Sequence, residues 1–320
     1  MRKIPVIIDT DPGVDDSVAI MMLAASEKTD IKAVTTTHGN VGLAGTTKNA
    51  LGLRELLGLD CEVAMGADRP MIVPQKEASF FHGSNGVAAY EMPTPTKPVS
   101  REKAWDLMYR YAKEYEGELV LVSLGPMTNT ALAILKYPDF AKKVKRISMM
   151  GGSRSWGNHS QYAEFNIWGD PHACSVVLES GIPVTMADLV FGNSLKMNGK
   201  KEREILSHAK KLKPFAEAIM NLHKTIADTL NSQKGELVPF DETESVFYDT
   251  SAAIALLEDG ESLVTDDYYV LCETQSSTTN GMTVFDYKGY MKKERNVQLC
   301  VDVDKDKYFE LLTKAFSHFE

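Results

Sequence analysis

Cysteine is scarce in this chain. Its four residues, Cys61, Cys174, Cys272 and Cys300, lie far apart with no paired spacing. That excludes a zinc-ribbon pattern and a disulfide framework, so these residues are expected to be reduced core side chains in a reducing compartment. Long hydrophobic runs are missing as well. Arg2 and Lys3 precede Ile4-Pro5-Val6-Ile7-Ile8, but the run stops at Asp9, too short for a signal peptide. No stretch approaches the roughly 20 apolar residues of a membrane span, so a cytoplasmic protein with no membrane partner is expected. Positive charge is in deficit: 35 Lys and Arg against 44 Asp and Glu leave a net charge of -9. Such a surface is a poor partner for nucleic acid and points to a small ligand. No repeat, low-complexity tract or compositional break is visible, and residues 1–320 read as one domain.

What is present is acid, concentrated at one place. Asp9-Thr10-Asp11-Pro12-Gly13-Val14-Asp15-Asp16 puts four carboxylates in eight residues, directly after an apolar strand. Pro12-Gly13 forces a turn, and Ser17 to Leu23 resumes as a helix, so the acids sit on a strand-to-helix loop. Carboxylates this crowded repel one another, and a hard cation such as Ca²⁺ or Mg²⁺ would relieve that repulsion. The plainer alternative is a solvated turn whose Asp15 and Asp16 favour the helix N-terminus.

Apolar, β-branched runs recur at 31–37, 119–124, 144–150 and 182–187, separated by helical stretches near 44–58, 101–116, 127–136 and 171–180. This alternation predicts an α/β fold: an open, mostly parallel, doubly wound sheet with helices on both faces. Residues 268–273 and 296–303 read as further strands, giving extra C-terminal helices and strands. Two excursions, 75–98 with Phe80-Phe81-His82-Gly83-Ser84-Asn85-Gly86, and the polar, helical 200–245, read as loops flanking an opening.

Open α/β sheets bind ligands beyond the carboxyl ends of their strands. Those ends carry Asp9 to Asp16, then His38-Gly39-Asn40, Gly125-Pro126-Met127-Thr128-Asn129, and Gly151-Gly152 leading to Asn158 and Glu164-Phe165-Asn166. Individually Asn40 reads as a turn residue, Thr128 and Asn129 as a helix cap, and Asp249 as the cap of the helix from Ser251 to Leu257. Placed on one rim, they form a candidate site.

The Asp-Thr-Asp-Pro-Gly-Val-Asp-Asp motif, Gly39-Asn40, Leu124 to Asn129, Met150-Gly151-Gly152 and Ala163-Glu164-Phe165-Asn166, in this order, resemble the inosine-uridine preferring nucleoside hydrolase family. The resemblance implies hydrolysis of a ribonucleoside to ribose and free base, as in nucleoside salvage. It implies Ca²⁺ held by the carboxylates of Asp11, Asp16 and Asp249 and the backbone carbonyl of Thr128, with the ribose diol completing the shell. Asp15 becomes the general base toward the attacking water, and the ribosyl group passes through an oxocarbenium-like state. Asn40 and Asn166 match positions near the ribose hydroxyls, Asn158 and Glu164 match contacts to the 5′-hydroxyl, and His82 matches a position facing the base. Asp9 is placed behind the loop. Relatives are commonly dimers or tetramers, so a homodimer or homotetramer is implied.

The chain departs from the family at one position. Many members carry His-Asp where Tyr248-Asp249 stands, and that histidine is thought to protonate the leaving base. A phenol titrates near pH ~10 against ~6.5 for imidazole, so Tyr248 is a poor acid at neutrality: either it stacks on the base, or help for the leaving group comes from elsewhere. His159 and His223 read as surface residues. Two alternatives remain open on the sequence. Asp9-x-Asp11 after a first strand also fits a phosphohydrolase of the haloacid dehalogenase type, although that leaves Asp15 and Asp16 unexplained. The missing histidine also fits a nucleoside-binding protein that does not cleave its ligand.

Overall fold

The computed structural model describes residues 2–76, 82–234 and 238–319. Phe80 and Phe81 of the first excursion, and residues 235–237 of the second, lie outside them.

The chain begins with β1 (Ile4–Thr10), the acid loop and α1 (Val14–Ala24), followed by β2 (Thr29–Thr36), α2 (Leu43–Leu57) and β3 (Glu62–Met65). After the 82–98 excursion come α3 (Ala104–Glu114), β4 (Leu119–Ser123), α4 (Thr128–Lys136), α5 (Phe140–Lys143) and β5 (Val144–Met150). Two short helices, α6 (Phe165–Gly169) and α7 (Pro171–Leu178), lead to β6 (Val184–Ala187) and α8 (Leu189–Ser194). The second excursion contains β7 (Met197–Asn198), α9 (Gly199–Leu206), α10 (Lys213–Lys234) and β8 (Glu244–Ser245). The chain then runs through α11 (Thr250–Leu257), β9 (Val264–Tyr268), β10 (Val270–Cys272), β11 (Thr283–Phe285), β12 (Val297–Asp302) and α12 (Lys305–Ser317).

Eight strands form one sheet in the order β3-β2-β1-β4-β5-β6-β12-β9. Its pairings are parallel except β12 with β9. Alternation along each strand explains the layers. Val6 and Ile8 of β1, with Val120 and Val122 of β4, face a core built with α1, α11 and α12, whereas Ile7, Leu119 and Leu121 face a second core built with α3, α4 and α7. A sheet buried on both faces leaves its strand ends as the place where polar groups collect.

The sequence expectation of an α/β, mostly parallel sheet with helices on both faces holds. Two local readings needed correction. β3 is missing from the sequence reading because four residues are too few to show a period. The run 268–273 is two strands: Tyr268 ends β9 on the main sheet, and Val270 starts β10, which pairs antiparallel with β11.

Candidate active site

The strand ends meet as the topology requires. β1, β2 and β4 are neighbours, so the acid loop, His38-Gly39-Asn40 and Leu124 to Asn129 converge. Asp9 faces inward from β1. Its Oδ1 accepts hydrogen bonds from Thr35 Oγ1 (2.7 Å) and Asn129 Nδ2 (2.8 Å), and burial pushes its carboxyl up to about 7 despite both bonds. It therefore ties β1 to β2 and α4 rather than reaching the ligand.

Asp11 is held with little freedom. The Asn40 N–H donates to its Oδ2 at 2.7 Å, while its Oδ1 is buried with no partner. Gly39, at positive φ, and Gly125 close over the carboxylate, and a Cβ on either would coincide with one of its oxygens. Asp16 accepts from Thr10 Oγ1, from the Gly13 N–H at 2.9 Å and from Asn40 Nδ2 at 3.0 Å. Asp249 flanks α11 without capping it, since its side chain makes no cap hydrogen bond. Its carboxylate instead turns to the loop, and one oxygen each of Asp15, Asp16 and Asp249 lie within 4.8 Å of one another.

This crowding has an electrostatic cost. Burial raises the carboxyls of Asp11 and Asp249 far above the usual range, and burial also raises Asp15 and Asp16; the neighbouring acids push Asp11, Asp16 and Asp249 further. His82 lies 3.5 Å from Asp15 but does not offset the charge: its Nδ1 accepts the Val14 N–H at 3.4 Å, and burial lowers its pKa to about 4. The Asp15 Oδ1 is left buried and without a hydrogen bond. Clustered carboxylates with unpartnered oxygens, and hard oxygen donors throughout, fit a divalent cation.

A cavity of about 430 Å³ opens against this cluster. Asp15, Asn40, Asn158, Glu164 and Asn166 form its polar wall. Asn166 Nδ2 donates to the carbonyls of Leu124 (2.7 Å) and Met150 (3.2 Å), which fixes the ends of β4 and β5. Asn158 Oδ1 accepts the Phe165 N–H at 2.9 Å. Glu164 accepts from the N–H groups of Gly152 (3.1 Å), Asn166 (2.9 Å) and Ile167 (3.2 Å), and burial still raises its carboxyl to about 7. The other wall is largely apolar, made of Ile226, Ala227 and Leu230 of α10 with Phe240, Phe247 and Tyr248.

The structure brings together Asp11, Asp15, Asp16 and Asp249, and lines the cavity with Asn40, His82, Asn158, Glu164, Asn166 and Tyr248. Thr128 is placed differently from the sequence expectation. It is the first residue of α4, a position whose carbonyl lies along the helix axis. Its hydroxyl bonds His38 Nε2 (3.0 Å) and Asp170 Oδ2 (2.8 Å), a buried support that the sequence reading missed. The strand-end carbonyl beside the cavity belongs to Leu124. His223 is also placed differently: it lines the cavity from α10, paired with the buried Glu202, rather than lying on the surface. Neither pairing had a sequence signal, because the partners are 42 and 21 residues apart with no shared motif.

Comparison with known proteins places this geometry. Residues 6–310 match the family described as inosine-uridine preferring nucleoside hydrolase. The chain is 34% identical over 322 residues, 99% of each chain, to the pyrimidine-specific ribonucleoside hydrolase RihA of Salmonella typhimurium. Among solved structures it superposes on a purine-preferring ribonucleoside hydrolase from Gardnerella vaginalis with a TM-score of 0.88 at 26% identity, covering 98% of both chains. It superposes on a plant nucleoside hydrolase with a TM-score of 0.86 at 27% identity, covering 99% of both.

Proposed function

The chain belongs to the inosine-uridine preferring nucleoside hydrolase family and hydrolyses ribonucleosides; from that premise we propose that Ca²⁺ is its cation and Asp15 its general base. The observation that carries this reading is the convergence of Asp15, Asp16 and Asp249 beside Asp11, with buried oxygens of Asp11 and Asp15 left unpartnered.

Asp11, Asp16 and Asp249 would hold the ion, and the Leu124 carbonyl would take the backbone place expected of Thr128. Several oxygens from separate elements suit Ca²⁺ better than Mg²⁺, which retains most of its water. Such an ion supplies positive charge that favours ionisation of water and gathers vicinal hydroxyls. Asp15 accepts the proton of the water that attacks the anomeric carbon, and its buried, hydrogen-bond-free Oδ1 is raised in basicity for that task. Asn40 and Asn166 position the ribose from the strand ends, and Asn158 and Glu164 bind the 5′-hydroxyl. The ring of Tyr248 stacks on the base, its hydroxyl donating to Asn193 Oδ1 at 3.0 Å, and His82 faces the base from the loop.

The phosphohydrolase alternative is not favoured, because Asp9 would have to be the nucleophile and is buried at 1% exposure in its network with Thr35 and Asn129. The test is reducing-sugar release from inosine, adenosine, guanosine, uridine and cytidine, with Ca²⁺ and with chelator. Cleavage that chelator abolishes and Ca²⁺ restores is expected. An undiminished rate for Asp15→Asn would sink the proposed mechanism.

A further inference from the structure

The base wall of the cavity carries a polar constellation that the acid loop does not explain. Glu202 of α9 is fully buried, and its oxygens are divided between His223 Nδ1 of α10 (Oε1, 2.7 Å) and Ser245 Oγ of β8 (Oε2, 2.6 Å). Burying a carboxylate is costly unless it is paired, and three separate elements are aligned here to pair this one. A carboxylate only accepts, so the proton between Glu202 and His223 sits on Nδ1. Nε2 is then the ring nitrogen left for the cavity that His223 lines. A carboxylate behind an imidazole fixes its orientation and stabilises the imidazolium, the arrangement by which a histidine gives and takes protons in catalysis.

Other proton donors on the cavity wall are held in other contacts; Lys196 Nζ pairs with Glu244 Oε2 at 3.2 Å. The Tyr248 hydroxyl donates to Asn193. His82 sits on the acid-loop side, its Nδ1 accepting the Val14 N–H and lying 3.5 Å from Asp15 Oδ1, beside the proposed base rather than on the α10 wall. His159 packs on Trp168 with ring centroids 4.0 Å apart.

We propose that His223, held in place by Glu202, is the catalytic residue that protonates the departing base. The inference rests on the hydrolase reading above and assigns to α10 a role that Tyr248 cannot fill. As the C1′–N bond breaks, its electron pair goes to the base, which takes the Nε2 proton of the His223 imidazolium and leaves a neutral imidazole with its proton on Nδ1. Water forms the new bond at C1′, and its proton goes to Asp15. The proton on Asp15 then passes to solvent while His223 regains one, so a nucleoside and one water give ribose and a neutral base. Glu202 is a positioning residue that acts through His223.

The experiment compares natural nucleosides with 4-nitrophenyl riboside, whose leaving group departs as an anion and needs no proton. For His223→Phe, which keeps a ring beside Phe247, kcat on uridine and inosine is expected to fall about 100-fold or more, the range of general acid catalysis. On the nitrophenyl riboside the loss should stay within about 10-fold. Glu202→Gln should show the same discrimination, more weakly, with KM little changed. Equal losses on both substrate classes, or no loss on nucleosides, would overturn the role of His223. Asp15→Asn separates the two readings, since it should lose both substrate classes; if it spares either, the base assignment fails, whatever His223 does.

Discussion

The two walls of the cavity are built by different rules. The acid wall stands on strand ends, where register fixes each Cα and buried hydrogen bonds fix each side chain: Asp9 by Thr35 and Asn129, Asp11 by Asn40, and Asp16 by Thr10, Gly13 and Asn40. The base wall stands on α10 and the segment before α11, where apolar side chains supply surface and the hydrogen bond between His223 and the buried Glu202 supplies direction. On the proposed reading, the sugar and its cation meet a frame fixed by strand register, and the base meets a helical face with few such ties. Two of the relatives differ in the base their names give, one pyrimidine-specific and the other purine-preferring.

The contrast is open to direct attack. The largest effect should come from Asp15→Asn, with turnover falling on the order of 10³-fold or more while the fold persists. Because the substitution removes one charge from a crowded set, melting in chelator should occur at the same or a higher temperature than wild type. A large drop in melting temperature would show that Asp15 supports the frame instead. Next, a 2′-deoxyriboside should be cleaved on the order of 10⁴-fold less efficiently than its riboside, since a site built around hydroxyls is left with unpaired groups. Similar kcat/KM for uridine and deoxyuridine would break the diol assignment.

Gly125→Ala sharpens the comparison without touching a ligand side chain. Its new methyl must displace the Asp11 carboxylate, and a fall of about 10–100-fold in cation affinity by calorimetric titration is expected, as for changes that support metal ligands from behind. A comparably small enlargement at the base wall, Ala227→Val, should alter the ranking of bases and leave cation affinity within error.

A smaller effect concerns pH. Glu164 titrates at about 7 in the folded chain against 4.5 ordinarily, because burial favours its protonated form. The folded state therefore holds this proton more tightly, so its contribution to stability is complete below pH ~4.5 and is lost as pH rises through about 7. Glu164→Gln should flatten the fall in melting temperature between pH 5 and 8; an unchanged slope would remove Glu164 as its source. Least of all, Tyr248→Phe should change kcat less than about threefold, as expected if the ring and not the phenol proton is used, and cost about 1 kcal/mol in denaturant unfolding from the lost Asn193 bond.

The same contrast governs what could be read from residues alone. Asp9 to Asp16 follow a strand and precede a helix, so their clustering in sequence is their clustering in space. Asn40, Asn158, Glu164 and Asn166 were legible because parallel strands deliver their ends to one rim. The hydroxyl of Thr128, turned to His38 and Asp170, was not legible, since a motif names the neighbourhood but not the buried partners of each side chain. His223 went unread because its meaning lies in Glu202 and Ser245, and a polar helix with one histidine looks the same whether that histidine meets water or a buried carboxylate. Tertiary pairing of that kind has no period and no local composition.

The antiparallel strand at the margin of the sheet has a consequence for assembly. β9 presents Thr265, Asp266 and Asp267 along its length, with both acids exposed, while on the far margin β3 is four residues long and its Val63 carbonyl is taken by the Ser100 N–H. Charge at one border and brevity with a covering loop segment at the other are how proteins keep an edge from templating further chains. Both borders therefore disfavour an intermolecular ladder that would continue the main sheet.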